Sequence, residues 1–265
     1  MEGFSLAIEG PLARLRLNRP ERRNVVTRQM WRALPELCRR IEASPDALVV
    51  IVEGEGAHFS AGADITEFAA AYRDEETTRA YLQSIQEALS ALIALSRPSL
   101  AALRGNAIGG GLALGLCCDL RFCAEDALIA ITPAKLGLLY GFVETRRLVD
   151  LVGPARAKDI LFTGRRLGAA EALAIGLVDR TVPTVQLNEA VTGYAMELAG
   201  LSQYSIRGSK LAVDAIAHGL ARESPAFRAL IEEAARGPDC VEGRNAFAEK
   251  RAPRFTFRDR LDPID

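Results

Sequence analysis

The chain has 265 residues, 33 basic against 34 acidic side chains and 49% hydrophobic residues, the profile of one globular unit that can bury a core without disulfides or a structural metal. Its formal net charge of −1 withholds the basic field that nucleic acid or an anionic membrane would require, so neither is expected as a partner. Five cysteines with no CxxC pair and no Cys/His cluster read as buried thiols in a reducing compartment, the cytoplasm, with no metal site.

Met1-Glu2-Gly3-Phe4-Ser5 lacks the basic-then-apolar order of a signal peptide. Leu6-Ala7-Ile8 and Leu12 to Leu17 straddle Gly10-Pro11, and the second run alternates apolar and basic residues. That pattern predicts a hairpin with one solvated face. Thr27 is placed to cap a helix in which Met30, Leu34, Leu37, Cys38 and Ile41 recur at helical spacing, with Pro35 expected to weaken or kink it. Leu48 to Val52 is a continuous apolar run of strand length, buried on both faces. A helix-like stretch from Glu75 to Leu95 and a second strand, Ser99 to Leu103, repeat the unit. Strand and helix alternation predicts an α/β core with crossover connections. Ala107 to Cys118, the longest apolar run, is glycine-rich, falls short of the roughly 18 residues of a membrane span, and reads as a buried helix behind a glycine turn. From Leu187 onward the pattern is helical only, with segments at 187–200, 206–219 and 225–236. The division expected is a core over 1–200 and a helical region over 201–265, with Arg258 to Asp265 polar and frayed.

Two strand-to-helix turns carry the candidate chemistry. Phe59-Ser60-Ala61-Gly62-Ala63-Asp64-Ile65 follows one buried strand, and Gly105 to Gly115, with its Gly109-Gly110-Gly111, follows the other. Small residues leave backbone N–H groups exposed at a helix start, where the potential is positive. No Gly-Lys-Ser/Thr follows the glycines, so a phosphate loop is excluded. Two such turns can instead offer one N–H each to a single oxygen.

In order along the chain, these residues resemble the enoyl-CoA hydratase/isomerase family, the crotonase superfamily. Asn18-Arg19-Pro20-Glu21-Arg22-Arg23-Asn24 looks like its opening turn, and the two glycine loops look like its oxyanion loops. Leu161-Phe162-Thr163-Gly164, Ala169 to Ala172 and Gly176-Leu177-Val178 look like its later core helices, and Glu242-Gly243 through Phe255 is similar to its carboxy-terminal signature. The resemblance implies a crotonase-like spiral of ββα units with a helical trimerisation region, a homotrimer or dimer of trimers, and an acyl thioester of coenzyme A as ligand. No cofactor is implied beyond the coenzyme A of the substrate. Ala63 and Gly110 match the two N–H donors to the thioester oxygen. Arg23 and Lys250 match basic positions near the coenzyme A phosphates, Lys250 from its own or a neighbouring subunit. Ala61, Asp64 and Ile65 line the same ligand, Asp64 and Ile65 through backbone groups, while the Asp64 carboxylate reads as a helix cap.

The family's hydratases hold two glutamates, and at the matching positions this chain has Ala113 and Pro133. Neither side chain can transfer a proton. Thr132-Pro133-Ala134-Lys135-Leu136-Gly137-Leu138-Leu139-Tyr140 resembles instead the methylmalonyl-CoA decarboxylase branch, in which Tyr140 matches a tyrosine near the thioester's α-carbon. That branch's histidine and glutamate fall at Ala63 and Ala113 here. Glu144 is the nearest remaining acid, and reads either as a general acid/base or as a helix-start carboxylate paired with Arg146 or Arg147. Decarboxylase-like or isomerase chemistry is therefore expected, with Tyr140 and Glu144 as side-chain candidates. The alternatives are hydration through a relocated Glu144, and a thioester-binding or scaffold protein without turnover. Of the two histidines, His58 is expected to face outward and His218 to sit at a helix end.

Overall fold

The computed structural model describes residues 3–264; Met1, Glu2 and Asp265, the outermost residues of the terminal segments read above, lie outside them. The predicted hairpin is β1 (Phe4–Glu9) and β2 (Leu12–Leu17), which pair antiparallel. Leu15 and Leu17 are buried, as the alternation requires. The other face is only partly solvated, with the Arg14 and Arg16 side chains 12% and 28% exposed. The guanidiniums of Arg14 and Arg16 reach Glu53 at 3.3 and 2.7 Å, and Arg14 also donates to Thr192, 2.7 Å away. A covering helix hides part of this face, and the sequence shows only its charge.

Helix α1 (Arg28–Ala43) starts where the Thr27 hydroxyl accepts the Met30 N–H. It continues through Pro35, held by the stripe of Met30, Trp31, Leu34, Leu37, Cys38 and Ile41 that it buries. Then come β3 (Val49–Gly54), the short α2 (Phe68–Ala71), α3 (Glu75–Ile93) and β4 (Ser99–Leu103). Asp74 and Thr77 begin α3 as a reciprocal capping box. Next are β5 (Asn106–Ile108), α4 (Gly109–Leu116), β6 (Leu120–Ala124), β7 (Leu128–Ala130) and α5 (Phe142–Thr163), the last broken at Gly153. The α/β part closes with β8 (Arg166–Gly168), α6 (Ala169–Ala174), β9 (Arg180–Val182) and α7 (Leu187–Ala199).

The strands form a six-stranded sheet in the order β1-β2-β3-β4-β6-β9 and a three-stranded sheet in the order β5-β7-β8. Two turns of chain, β4-β5-α4 and β6-β7-α5, each lay one strand in the large sheet, the next in the small sheet, and then a helix. This is the expected spiral of ββα units, with α7 packed against β2, β3, β4 and β6. After residue 200 the chain is helical, as α8 (Gln203–Ala217), α9 (Pro225–Arg236) and α10 (Pro238–Glu249). The last segment is docked rather than frayed: Leu261 and Ile264 are buried, and Arg207 holds the carbonyls of Arg258 and Asp259. Among the described residues no helix is long and apolar enough to cross a membrane. All five cysteines are free, and burial pushes the thiols of Cys38, Cys118 and Cys123 up to about 12.

Ser60 joins the two glycine turns. Its N–H donates to the Asn106 carbonyl at 2.9 Å, and its carbonyl accepts the Ile108 N–H at 3.0 Å. Its hydroxyl donates to the Asn24 carbonyl and accepts the Gly62 N–H. A Cβ on Gly111 would overlap that hydroxyl, so α4 can approach the first loop only with glycine there. Gly111→Ala is expected to cost about 1–3 kcal/mol by overpacking, whereas Gly168→Ala, where a Cβ meets nothing within 4 Å, changes stability little. Urea unfolding of the two variants decides it, and equal shifts would contradict this packing.

Candidate active site

The first loop is held from both sides. Val26 donates its N–H to the Gly62 carbonyl at 2.8 Å and accepts from Asp64 N–H at 2.9 Å, a parallel bridge at Val26 and Ala63. The N–H of Ala63 lies outside that ladder. Gly110 stands in the first turn of α4, where the helix supplies no carbonyl one turn back. The two residues are neighbours: a Cβ built on Gly110 would lie 3.7 Å from the Ala63 nitrogen, and one on Gly62 4.0 Å from the Gly110 nitrogen. Gly62 and Gly109 have φ of +102° and +48°, a region that costs most other residues strain.

Ala63 and Gly110 both line a cavity of about 340 Å³, to which Trp31, Tyr81, Tyr140 and Glu144 also contribute. The Tyr140 hydroxyl donates to the Gly109 carbonyl at 3.1 Å. Burial, with Glu144 close by, pushes its pKa well up, so it stays a neutral phenol. Glu144 is 7% exposed and lies in the first turn of α5. Its carboxyl folds over Gly141 and accepts the N–H groups of Gly141 and of Glu144 itself. Burial outweighs those bonds and holds the carboxyl above 4.5. The expected arginine partners are engaged elsewhere: Arg147 with the Leu116 carbonyl, Arg146 with Asp150 and the Ala217 carbonyl.

The remaining candidates are spread more widely. Arg23 is exposed, with φ of +51°, and its carbonyl accepts the Ala61 N–H at 2.9 Å. Ala61 and Ile65 line the cavity, Ile65 largely exposed. Asp64 caps the short turn after it, accepting from the Thr66 N–H and hydroxyl and from Arg19. Lys250 ends α10 at an exposed position and is not part of the cavity wall. Pro133 lines the cavity, while Ala113 is fully buried within α4. His58 does not face outward as a free group. Its Nδ1 accepts the Asn106 N–H at 3.1 Å, which secures the second turn. The sequence reading missed Trp31, Tyr72 and Tyr81. The chain's single tryptophan sits on the apolar stripe of α1, where helical spacing signals core only, yet it lines the cavity and its buried indole N–H has no acceptor among the described residues.

This fold is that of one class of protein. The chain belongs to the enoyl-CoA hydratase/isomerase family, whose profile matches residues 7–258. A putative enoyl-CoA hydratase/isomerase family protein from Hyphomonas neptunium superposes with a TM-score of 0.94 at 40% identity, covering 97% of this chain and 98% of that one. A Magnetospirillum magneticum protein described as an enoyl-CoA hydratase/carnithine racemase gives 0.92 at 34% identity, over 97% and 96%. A putative enoyl-CoA hydratase of Thermus thermophilus is 36% identical over 255 residues, 93% of this chain and 98% of the relative.

Asp64 yields a prediction with a definite sign. Burial raises its pKa, but the bonds from Thr66 and Arg19 outweigh this and hold the carboxyl below 3.8. Its stabilising contribution is present above that value and is lost as pH falls through the folded pKa. Asp64→Asn therefore lowers the melting temperature at pH 7, and the gap from wild type narrows as the pH is taken below 3.8. A gap that stays constant with pH would show that charge plays no part.

Proposed function

We propose that this protein binds an acyl thioester of coenzyme A with the thioester oxygen between the N–H groups of Ala63 and Gly110, and that its reaction passes through the enolate they stabilise. Preorganised donors of this kind are commonly worth about 3 kcal/mol each. Loss of a proton or of carbon dioxide beside a thioester both generate such an enolate.

The observation that carries the choice of reaction is that Glu144 is the one carboxyl group on the cavity wall among the described residues. Adding water across a double bond in the family's usual way takes two carboxylates, whose positions register here on Ala113 and Pro133. Chemistry that needs a single proton-transfer group is preferred. In decarboxylation the electrons of the breaking C–C bond pass into the enolate, carbon dioxide departs, and one acid protonates the α-carbon. In isomerisation one group removes a proton and returns it at another carbon. Glu144, whose pKa burial raises toward the neutral form, suits the donor's part.

Tyr140 acts on the protein rather than on the substrate. The carbonyl it binds and the N–H of Gly110 belong to one peptide group. In a trans peptide the two point in opposite directions, so a hydroxyl on one end aims and polarises the other. Arg23, Ala61, Asp64 and Ile65 are assigned to the coenzyme A side of the site. Lys250 would serve it from a neighbouring subunit of a homotrimer or dimer of trimers, through the helical region 201–265. The free thiols support a reducing compartment such as the cytoplasm. A second reading, thioester binding without turnover, is favoured by the fact that Tyr140 and Glu144 are both already engaged with backbone groups.

A panel of malonyl-type, enoyl and 3-hydroxyacyl thioesters followed by mass spectrometry tests the proposal. Carbon dioxide loss or a double-bond shift is expected, and water addition with Glu144→Gln fully active would contradict it. Gly110→Pro removes one donor and is expected to lower kcat/KM by about 10²–10³. Tyr140→Phe lowers kcat by roughly 10-fold with KM little changed. With Glu144 as proton donor, kcat falls as pH rises through its raised pKa, above 4.5, and Glu144→Gln abolishes that limb. No turnover of any thioester that binds would favour the second reading.

A further inference from the structure

Aromatic side chains gather around one cavity. The single tryptophan, three of the five tyrosines and two of the ten phenylalanines line the cavity shared with Ala63 and Gly110, as Trp31, Tyr72, Tyr81, Tyr140, Phe68 and Phe142. Only 6% of the chain is aromatic, so the composition of this wall is specific to the site. Phe68, Tyr72 and Tyr81 stand edge to face in succession, their ring centroids 5.3 and 5.6 Å apart and their planes at 77° and 83°. Each such pair holds both rings in a preferred geometry. Trp31 brings the aromatic wall up to a donor, since a Cβ on Gly110 would lie 3.3 Å from its ring.

One group in this wall does not suit a plain alkyl chain. Tyr81 is 3% exposed and lines the cavity. Burial, with Tyr72 close by, pushes its pKa well up, so it is a neutral phenol. The hydroxyls of Tyr140 and Tyr204 donate to the carbonyls of Gly109 and Leu230. That of Tyr81 has no acceptor among the described residues, although its oxygen keeps some accessible surface. The Trp31 indole N–H approaches this oxygen without closing a hydrogen bond, which leaves the phenol proton free to donate. A buried phenol takes a partner as a rule, and an alkyl chain offers none.

We infer, resting on the thioester reading above, that the acyl group taken by this site carries an aromatic ring with a hydroxyl substituent: the ring packs among Trp31, Phe68 and Tyr72, and its oxygen accepts the Tyr81 O–H. An apolar cavity of about 150 Å³ holds a benzene ring, and the cavity here, about 340 Å³, has room for one beside a thioester carbonyl. An arene also gains contacts between ring edges and faces that an alkyl chain of equal area lacks. Tyr81 thus sets specificity, while Ala63 and Gly110 act on the carbonyl whatever the acyl group.

The test is calorimetric titration of the full chain with three saturated esters of coenzyme A that undergo neither decarboxylation nor a double-bond shift: octanoyl, 3-phenylpropionyl and 3-(4-hydroxyphenyl)propionyl. The phenyl ester is expected to bind roughly 3–10-fold more tightly than octanoyl, and the hydroxyl to add about 10-fold more. Tyr81→Phe brings the ratio between the two aryl esters close to one. That ratio is the readout, because both esters share whatever the substitution does to packing. Octanoyl binding as tightly as the aryl esters would overturn the inference and leave the thioester reading standing. A hydroxyl effect that is absent from the wild type, or that survives Tyr81→Phe, would overturn it as well. Failure of all three esters to bind would remove the thioester reading together with it.

Discussion

Two backbone hydrogen bonds hold the candidate active site together, those that Ser60 makes with Asn106 and Ile108 at 2.9 and 3.0 Å. They fasten the loop after β3 to the start of β5, and so set the N–H of Ala63 beside that of Gly110. Neither donor could be placed by its own side chain, since one carries a methyl group and the other nothing. Position has to come from the chain on either side, and the fold supplies it through buried parallel strands that end at the same level. Asn24 completes the clamp, its amide group donating to the carbonyls of Glu55 and His58 while its oxygen accepts the Arg19 N–H. The sequence around these residues is therefore small and exact in backbone demand, and the surrounding core is apolar.

The arrangement separates two tasks that many active sites combine. In the proposed reaction, charge that develops on a substrate oxygen is met by fixed backbone dipoles, which need no reorganisation. In that proposal proton movement falls to Glu144, in the first turn of α5, which is held by the N–H groups at that helix terminus. Its environment works in two directions, because burial disfavours the charged form and the N–H groups favour it. Burial prevails, and the carboxyl is left nearer to neutrality than an exposed glutamate would be. Tyr140 reaches the peptide of Gly110 through the Gly109 carbonyl.

Much of this was legible before any coordinates. The β-branched run of β3 and the helical stripes carry the α/β alternation, because each is a local pattern, and the spiral was expected from the resemblance that the order of motifs along the chain carries. That two turns of the same type can each offer an N–H was readable from the residues, and the choice of Ala63 and Gly110 came from the family resemblance. What sequence could not disclose was pairing across distance. Arg14 and Arg16 read as solvated charge because Glu53 and the covering α7 lie far along the chain, and the docked Leu261 and Ile264 read as a polar tail for the same reason. Trp31 was hidden differently, since a helix stripe that serves both core and cavity has one spacing. Tyr140 was noted for its place beside a substrate, and only the geometry reveals that its hydroxyl is spent on the peptide of Gly110.

The most direct measurement is isotope-edited infrared spectroscopy of a saturated acyl-CoA, labelled with ¹³C at the thioester carbonyl, bound to the protein. If the oxygen lies between the Ala63 and Gly110 N–H groups, the carbonyl stretch moves to lower frequency on binding and the shift is largely lost in Gly110→Pro. A thioester that binds with its carbonyl stretch unmoved would contradict the account, because the donors would then be aimed at something else.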